Sequence, residues 1–455
     1  MEYTKKLAAF CANITYESLP PEIILKVKQC VLDYIANVYG SLELDAVASV
    51  ISYIKSLETT GNISVLGCGF KSDLHNAAFI NGTTAEAIEA QDGVRFGGNH
   101  PGAAVIPAAL AMAEKHNLGG KEVIEAIVAG YEVANRSAAA MHPWHTLSGF
   151  LPTGTCGTFG AAAAAARLKK LTNEQTASSF GNAGYILPLS TAENLMGGYT
   201  IKIVQGGQAA SAGIMAVGLA ASDITGAPYI LEGSQLNGGF LKITSAVGPK
   251  LEQLTEGLGE KYSITDVYFK PYTACRHTHG AAQAMLEIKR EKSIRPEEVA
   301  SIDVYTYGIA NLAVGKGIDR DSTFVSAQFS IPYVVAVCLA DGELGPKQLT
   351  EKRLSDSALV DFSKRVQVHA DEDLEKVYPG KTSSRVEIKL KDGSVLKKQI
   401  DIPRGDPRDP MKTDDIVKKV KHFSGKRDQA MIDSICEKVL RLETITDIRE
   451  ITEII

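Results

Sequence analysis

Alanine and glycine fill one helical pattern after another between residues 74 and 222. The patterns are LHNAAFINGTTAEAIEAQ (74–91), then 101–116, 121–140, 154–168, 173–184 and 206–222, and the run FGAAAAAARLKK (159–170) is the densest. Alanine is the best helix former. With so few polar side chains, these helices cannot turn a wide face to water and must be buried on most sides. Residues 21–40 add a helix with Pro21 just inside its start and Gly40 at its end, and 45–57 reads as another. ISVLGCGF (63–70) reads as a strand or a buried loop. A large all-helical domain over residues 1–262 follows.

The pattern changes near residue 262. YSITDVYFKPYTAC (262–275), VASIDVYTYG (299–308) and SSRVEIKLKDGSVLKKQIDI (383–402) alternate apolar and polar residues at period two. Lys391-Asp392-Gly393-Ser394 is a hairpin turn within the last of them. Helical patterns at 278–291, 324–340, 346–354 and 370–376 separate these strands, giving an α+β domain over 263–405. IPRGDPRDPM closes it as a loop. Two amphipathic helices, 412–423 and 427–441, return to the helical style, so residues 406–455 are expected to dock back on the first domain. The fold class is mainly α in two domains, a large discontinuous all-helical one plus a smaller α+β one. A length of 455 residues also favours two cores over one.

A net charge of −5 argues against nucleic acid as the main partner. No window holds eighteen uncharged apolar residues, so no membrane span is expected, and the N-terminus lacks a signal-peptide core. The seven cysteines are scattered with no CxxC pair, which fits free thiols in a reducing cytoplasm and gives no support to a zinc or redox site.

Three stretches carry candidate chemistry. In TAEAIEAQDGVRFGGNHPGAAVIPAALAMAEK (84–115), two helical patterns meet at a loop holding Asp92, Arg95, Asn99 and His100. Its glycines let backbone approach a ligand, and His100-Pro101-Gly102 opens a helix whose free N–H groups favour an anion. The alternative is that Asp92 and His100 merely cap and turn the chain. In GGYTIKIVQGGQAASAG (197–213), Lys202 sits in an apolar stretch, either seeking an anion or reaching the surface. In FKPYTACRHTHGAAQA (269–284), Arg276, His277 and His279 precede a helix. No third ligand follows at metal spacing, so a cationic cluster for carboxylates is the more natural reading than a metal site. His142, Trp144 and His145, with Thr153 and Thr155, line a pocket or bridge helices. Tyr305 and Tyr307 suit sheet packing. GxGxxG, GxxxxGK[ST] and GxSxG are absent.

The blocks EAxDGxRxGGxHPGAAVIPAALAMAEK, GTxGTFGAAAAAARLxxLT, the Lys202 segment before Gly206-Gly207, and CRHTHGAAQA resemble, in this order, the MmgE/PrpD family. That family includes 2-methylcitrate dehydratase, cis-aconitate decarboxylase and iminodisuccinate epimerase. The resemblance implies a homodimer, each chain a discontinuous helical domain plus an α+β lid, with a site between the domains and neither metal nor cofactor. It implies catalytic roles for Asp92, His100, Lys202 and His279 or His277. Leu151 and Gln205 depart from the resemblance, standing where many members carry histidine.

The family's reactions share one demand: a di- or tricarboxylate is held while a bond beside a carboxylate breaks. Arg95, Asn99, Arg276, His145 and Thr153 are the candidate binding residues, and a histidine is the candidate base. The resulting expectation is a cofactor-independent lyase of the dehydratase type acting on a hydroxy-di- or tricarboxylate such as 2-methylcitrate. The alternatives are an epimerase or racemase of an aspartate-like diacid such as iminodisuccinate, a cis-aconitate-type decarboxylase, and a non-catalytic carboxylate-binding protein.

Overall fold

The alanine-rich segments become helices that cross at close range around one central rod. A computed structural model describes residues 2–455. The elements that position the site are α1 (Pro21–Ser41), α2 (Leu74–Ala87), β1 (Gly93–Val94), α3 (Gly102–His116), α4 (Gly120–Met141), α5 (Pro152–Leu168), α6 (Gln205–Ala221), β2 (Val267–Tyr268), α7 (His279–Lys292), β3 (Val299–Thr306), α8 (Ile331–Asp341), β4 (Val366–Ala370), β5 (Ser384–Leu390), β6 (Val395–Ile400) and α9 (Thr413–Phe423). Helix α5 is the rod: α3, α4 and α6 all pack on it, and α2 packs across α6 and α3. Ala161 to Ala166 of α5 are all buried. Large side chains there would hold the neighbouring axes apart.

Two glycine crossings make the approach possible. A Cβ on Gly82 would lie 2.6 Å from the Gly207 Cα, and one on Gly207 would lie 2.0 Å from the Phe79 carbonyl oxygen. Gly130 and Gly160 meet in the same way, each with its missing Cβ under 3 Å from the other's carbonyl. Residues 200–221 are long and apolar enough to cross a membrane although Gln205, Gln208 and Ser211 break the apolar run, but 67% of their most apolar window is buried inside the fold.

The second half holds a four-stranded sheet in the order β4-β3-β5-β6, with β3 parallel to β4 and antiparallel to β5. The hairpin at Lys391–Ser394 joins β5 to β6 as the sequence predicts. Helix α7 covers this sheet, and α8 packs on α7. Three expectations are corrected. The period-two segment 262–275 is not a strand of this sheet. Residues 263–266 form a 3-10 turn, and only Val267–Tyr268 pair, antiparallel, with Gly93–Val94. Pro271, which lacks an N–H, limits any longer pairing. The pattern at 324–340 breaks at Phe329–Ser330, where Ser330 caps α8 and Pro332 sits in its first turn. Strand β4, VQVHA, carries no clear pattern of its own and joins the sheet only through its parallel neighbour.

The C-terminal helices lie against the first helical segment. Helix α9 runs along α1, Gly120 N donates to Ile445 O at 2.8 Å, and Ile448 N donates to Leu118 O at 2.9 Å. Buried Lys419 of α9 bonds the Asp33 carboxylate at 2.7 Å and the Ala90 carbonyl at 2.6 Å. It thereby holds the start of the 90–100 loop.

The glycine crossings give a direct test. Gly207→Ala is expected to lower unfolding free energy by about 1–3 kcal/mol, the usual cost of overpacking a tight core. Urea denaturation checks it; an unchanged midpoint would mean that α2 and α6 can part freely.

Candidate active site

Helix α2 carries Glu86 in its last turn, and Glu89 follows two residues past its end. Both side chains are buried. Glu89 sits at φ 55°, in the left-handed region that a non-glycine residue occupies at a cost of about 1–3 kcal/mol. Two lysines hold it there. Lys202, in the 3-10 turn Thr200–Val204 ahead of α6, bonds both Glu89 Oε2 and Glu86 Oε1, the latter at 2.7 Å. Lys270, two residues beyond β2, bonds Glu89 Oε1 at 2.6 Å. Gln205 Nε2 donates to Glu86 Oε1 at 2.7 Å. The four charged side chains are at most 3% exposed. Burial pushes the Glu89 carboxyl up, but Lys202 and Lys270 outweigh it and hold Glu89 well below the usual carboxylate range. Burial likewise opposes the charge on Lys202, and Glu86 and Glu89 override it and raise its pKa.

Above this floor stand imidazoles with partly exposed rings. His100 Nδ1 lies 2.6 Å from the Asp92 carbonyl oxygen. A carbonyl only accepts, so Nδ1 carries the proton and Nε2 keeps a lone pair. That Nε2 faces Glu89 Oε1 at 3.9 Å. Burial first, and Lys270 second, depress the His100 pKa to about 3, so the ring is neutral at physiological pH. His277 enters from the second half, its Nδ1 2.6 Å from the Tyr307 hydroxyl. Burial, Lys270, Arg276 and His142 bring its pKa to about 4. His142 Nδ1 is buried without a partner.

The structure thus gathers Lys202, His100 and His277 around Glu86, Glu89 and Lys270. It does not gather every candidate. The Asp92 carboxylate points away from His100: Oδ1 accepts from Gly102 N at 3.0 Å and Oδ2 from the Tyr131 hydroxyl at 2.6 Å. Asp92 orients His100 through its backbone carbonyl instead. Thr153 Oγ1 accepts from His100 N at 3.0 Å and fixes the same loop. Asn99 donates to Asn135 Oδ1 at 2.8 Å, behind the loop. Arg95 reaches across to the Pro379 carbonyl of the second half and makes no direct ion pair among the described residues, with Asp406 acting on it only at longer range. Tyr378, just before it, stacks on Tyr307 at 4.5 Å. Arg276 is spent on the Arg404 and Pro403 carbonyls, at 2.8 and 2.7 Å. His279 is fully buried, with Nε2 3.1 Å from Ala274 O, whereas the His277 ring is partly exposed. His145 has both nitrogens satisfied, by Thr244 O at 2.9 Å and Thr155 Oγ1 at 2.8 Å, and stacks on Phe150.

Glu86, Glu89 and Lys270 were not singled out in the sequence, though a signal existed. Two glutamates at the end of a helix that must be buried need cations. Among the described residues no group of three or more His, Cys, Asp or Glu is arranged to hold a metal. All seven cysteines are free. A surface cavity of about 390 Å³, edged by Glu297, Arg353, Asp356 and Lys391, shares none of the site residues.

The cluster joins lysines, glutamates and neutral imidazoles drawn from both halves of the chain, and comparisons with known proteins give the class of protein that carries it. The model of the MmgE/PrpD N-terminal domain matches residues 5–252, and that of the C-terminal domain matches 272–442. This chain belongs to the MmgE/PrpD family and is an enzyme of the lyase type. It is 25% identical to a cis-aconitate decarboxylase of Aspergillus terreus over 99% of this chain and 95% of that protein. It is 24% identical to the cis-aconitate decarboxylase of Homo sapiens over 99% and 94%.

Asp92 supplies a test of its structural placement. Burial pushes its pKa up to about 7, above the unfolded value. The folded state therefore holds a proton that the unfolded state releases between about pH 4 and 7, and wild type loses stability across that window. Asp92→Asn removes the effect. Its stability relative to wild type is expected to rise by on the order of 1 kcal/mol per pH unit from pH 5 to 7 and then level off. Denaturant titrations at several pH values check this; a flat difference contradicts it.

Proposed function

We propose that the chain is a lyase that removes a proton beside a carboxylate of a small hydroxy-di- or tricarboxylate such as 2-methylcitrate, a dehydratase-type reaction. The observation that carries this reading is His100 Nε2, kept as a lone pair by the Asp92 carbonyl and set above Lys202 and Lys270. In this scheme Nε2 takes the C–H proton, and the electron pair moves onto the adjacent carboxylate. The lysine ammonium groups stabilise the doubly charged enediolate in a water-poor site. The pair then returns to form the double bond and expels the β-hydroxyl, which leaves as water with the proton that His100 Nε2 has taken. Arg95, which makes no direct ion pair among the described residues, holds a distal carboxylate at the rim.

A second reading, decarboxylation of cis-aconitate, is supported by the names of the full-length relatives. It breaks a C–C bond, releases carbon dioxide and needs an acid for the resulting carbanion. Two neutral histidines suit proton removal better. The test is incubation with a panel of di- and tricarboxylic acids in deuterated water, read by proton NMR. Elimination supports the proposal and loss of carbon dioxide the second reading. Exchange or inversion without elimination points to an isomerase, and binding without turnover to a carboxylate binder. On the substrate so found, His100→Ala and Lys202→Ala are each expected to lower kcat/KM by about 10²–10⁴-fold with the fold intact. Near wild-type turnover in both variants would overturn the scheme.

We also propose a homodimer. Segments 144–151 and 185–201 adjoin through the Phe150–Thr191 bridge, and together they expose Trp144, Leu147, Tyr185, Leu189, Tyr199 and Ile201. Monomers rarely leave so continuous an apolar surface wet. Light scattering is expected to give twice the 48.6 kDa chain mass, and Leu189→Asp with Tyr199→Glu to halve it. A wild-type monomer at micromolar concentration would contradict this.

A further inference from the structure

The charge of the buried floor does not suit an anionic ligand as it stands. Lys202 and Lys270 are matched by Glu86 and Glu89, and His100 and His277 are neutral. With both carboxylates ionised the cluster has no net charge, and an incoming carboxylate gains nothing for its lost hydration. The hydrogen bonds also fail to close. Glu86 Oε1 receives two donors, from Lys202 and Gln205, while Glu86 Oε2 is buried with no donor at all. Two more buried acceptors beside it are bare: Gln205 Oε1, on the amide bonded to Glu86, and Gln328 Oε1, on the amide that donates to the Ala87 carbonyl at 2.8 Å. These three orphans, Glu86 Oε2, Gln205 Oε1 and Gln328 Oε1, are all acceptors. The cluster is short of protons, and a bare carboxylate oxygen in such a place is costly.

We propose that Glu86 is protonated in the resting protein, through Oε2, and that this single proton makes the floor cationic and so sets its affinity for carboxylate ligands. The inference rests on the carboxylate-substrate reading above. With Glu86 neutral, two lysines face one carboxylate, and the cluster carries one positive charge. Ionisation of Glu86 cancels it. The groups that face Glu86 agree. Lys202 comes from the 3-10 turn, Glu89 from its own helix, and Gln205 from α6, which has no ionisable side chain. Lys270 and His100 act through Glu89. Burial raises the Glu86 pKa against the pull of Lys202, and ionised Glu89 raises it further. The end of α2 thus holds Glu86 neutral, and the turn just past it holds Glu89 charged.

The first measurement needs no ligand. The infrared spectrum at pH 7 is expected to contain the C=O stretch of a protonated buried carboxyl that Glu86→Gln lacks; an identical spectrum in the two proteins overturns the proposal. Should Glu86→Gln not fold, wild-type protein labelled with ¹³C at the glutamate carboxyls gives the same reading. A resonance at the protonated position supports it, and all resonances at the ionised position overturn it. The second measurement is calorimetry with 1,2-ethanedisulfonate, a dianion at every pH used. Wild-type affinity is expected to fall about tenfold per pH unit above the Glu86 pKa, the slope of one linked proton, and Glu86→Gln to bind with little pH dependence. Equal slopes in both proteins overturn the proposal. If the infrared band is Glu86's but neither the disulfonate nor citrate binds, the protonation of Glu86 stands and the carboxylate-substrate reading falls.

Discussion

The Glu89 carboxylate is the joint on which the site depends. One oxygen takes Lys202 from the helical half and the other takes Lys270 from the strand segment that opens the second half. The residue pays for that position with a left-handed backbone that a side chain disfavours. A strained residue persists only where its surroundings over-determine it, and here two buried ammonium groups do so. Truncating Glu89 would leave two buried charges unpaired, which is far costlier than the strain it would relieve. The neighbouring contacts depend on the same joint. Glu89 faces His100, Gly93–Val94 pair with the strand that delivers Lys270, and Lys419 grips the carbonyl between them.

The alanine-rich core matters to chemistry because it lets polar groups lie deep without water. Helices α2, α3, α5 and α6 approach through glycine and alanine. The end of α2 and the start of α6 are thereby brought within one hydrogen bond of each other, Lys202 to Glu86. Side chains of ordinary size at Gly82 or Gly207 would push these helices apart and flood the ion cluster. In a dry site the same four charges act on one another much more strongly than they would in water. That is why two histidines can be held neutral and two glutamates three residues apart can differ in protonation.

How much of this was legible in the sequence depended on the kind of signal. The helices were legible because alanine, glycine and period made one consistent pattern, and the change of style near 262 was legible because the period itself changed. His100 and Lys202 stood out as polar residues in apolar surroundings. Lys270 did not, because FKPY reads as the polar phase of an alternating strand; its burial comes from β2 pairing across to Gly93–Val94, a long-range contact with no local trace. Glu86 and Glu89 carry no distinct local signal, because glutamate on a helix most often lies on a solvated face. Asp92 was noticed for its carboxylate, whereas its backbone carbonyl is what orients His100. Type and spacing reveal which residues are present, not which atom of a residue is used.

His277 and His279 show the same limit from the other side. They stand two residues apart, and the sequence treats them alike. The 3-10 turn at Arg276–Thr278 sends them in different directions, His277 to the Tyr307 hydroxyl beside the site and His279 into the base of α7 against Tyr272. Arg276 is drawn the same way, onto the Pro403 and Arg404 carbonyls. That anchors the loop leading towards α9, the helix that carries Lys419. The cations that look most available in the sequence are therefore consumed in building the frame. Lys202 and Lys270 of the buried floor are already matched by carboxylates, which puts the control of the floor's charge on the one carboxyl whose second oxygen has no partner.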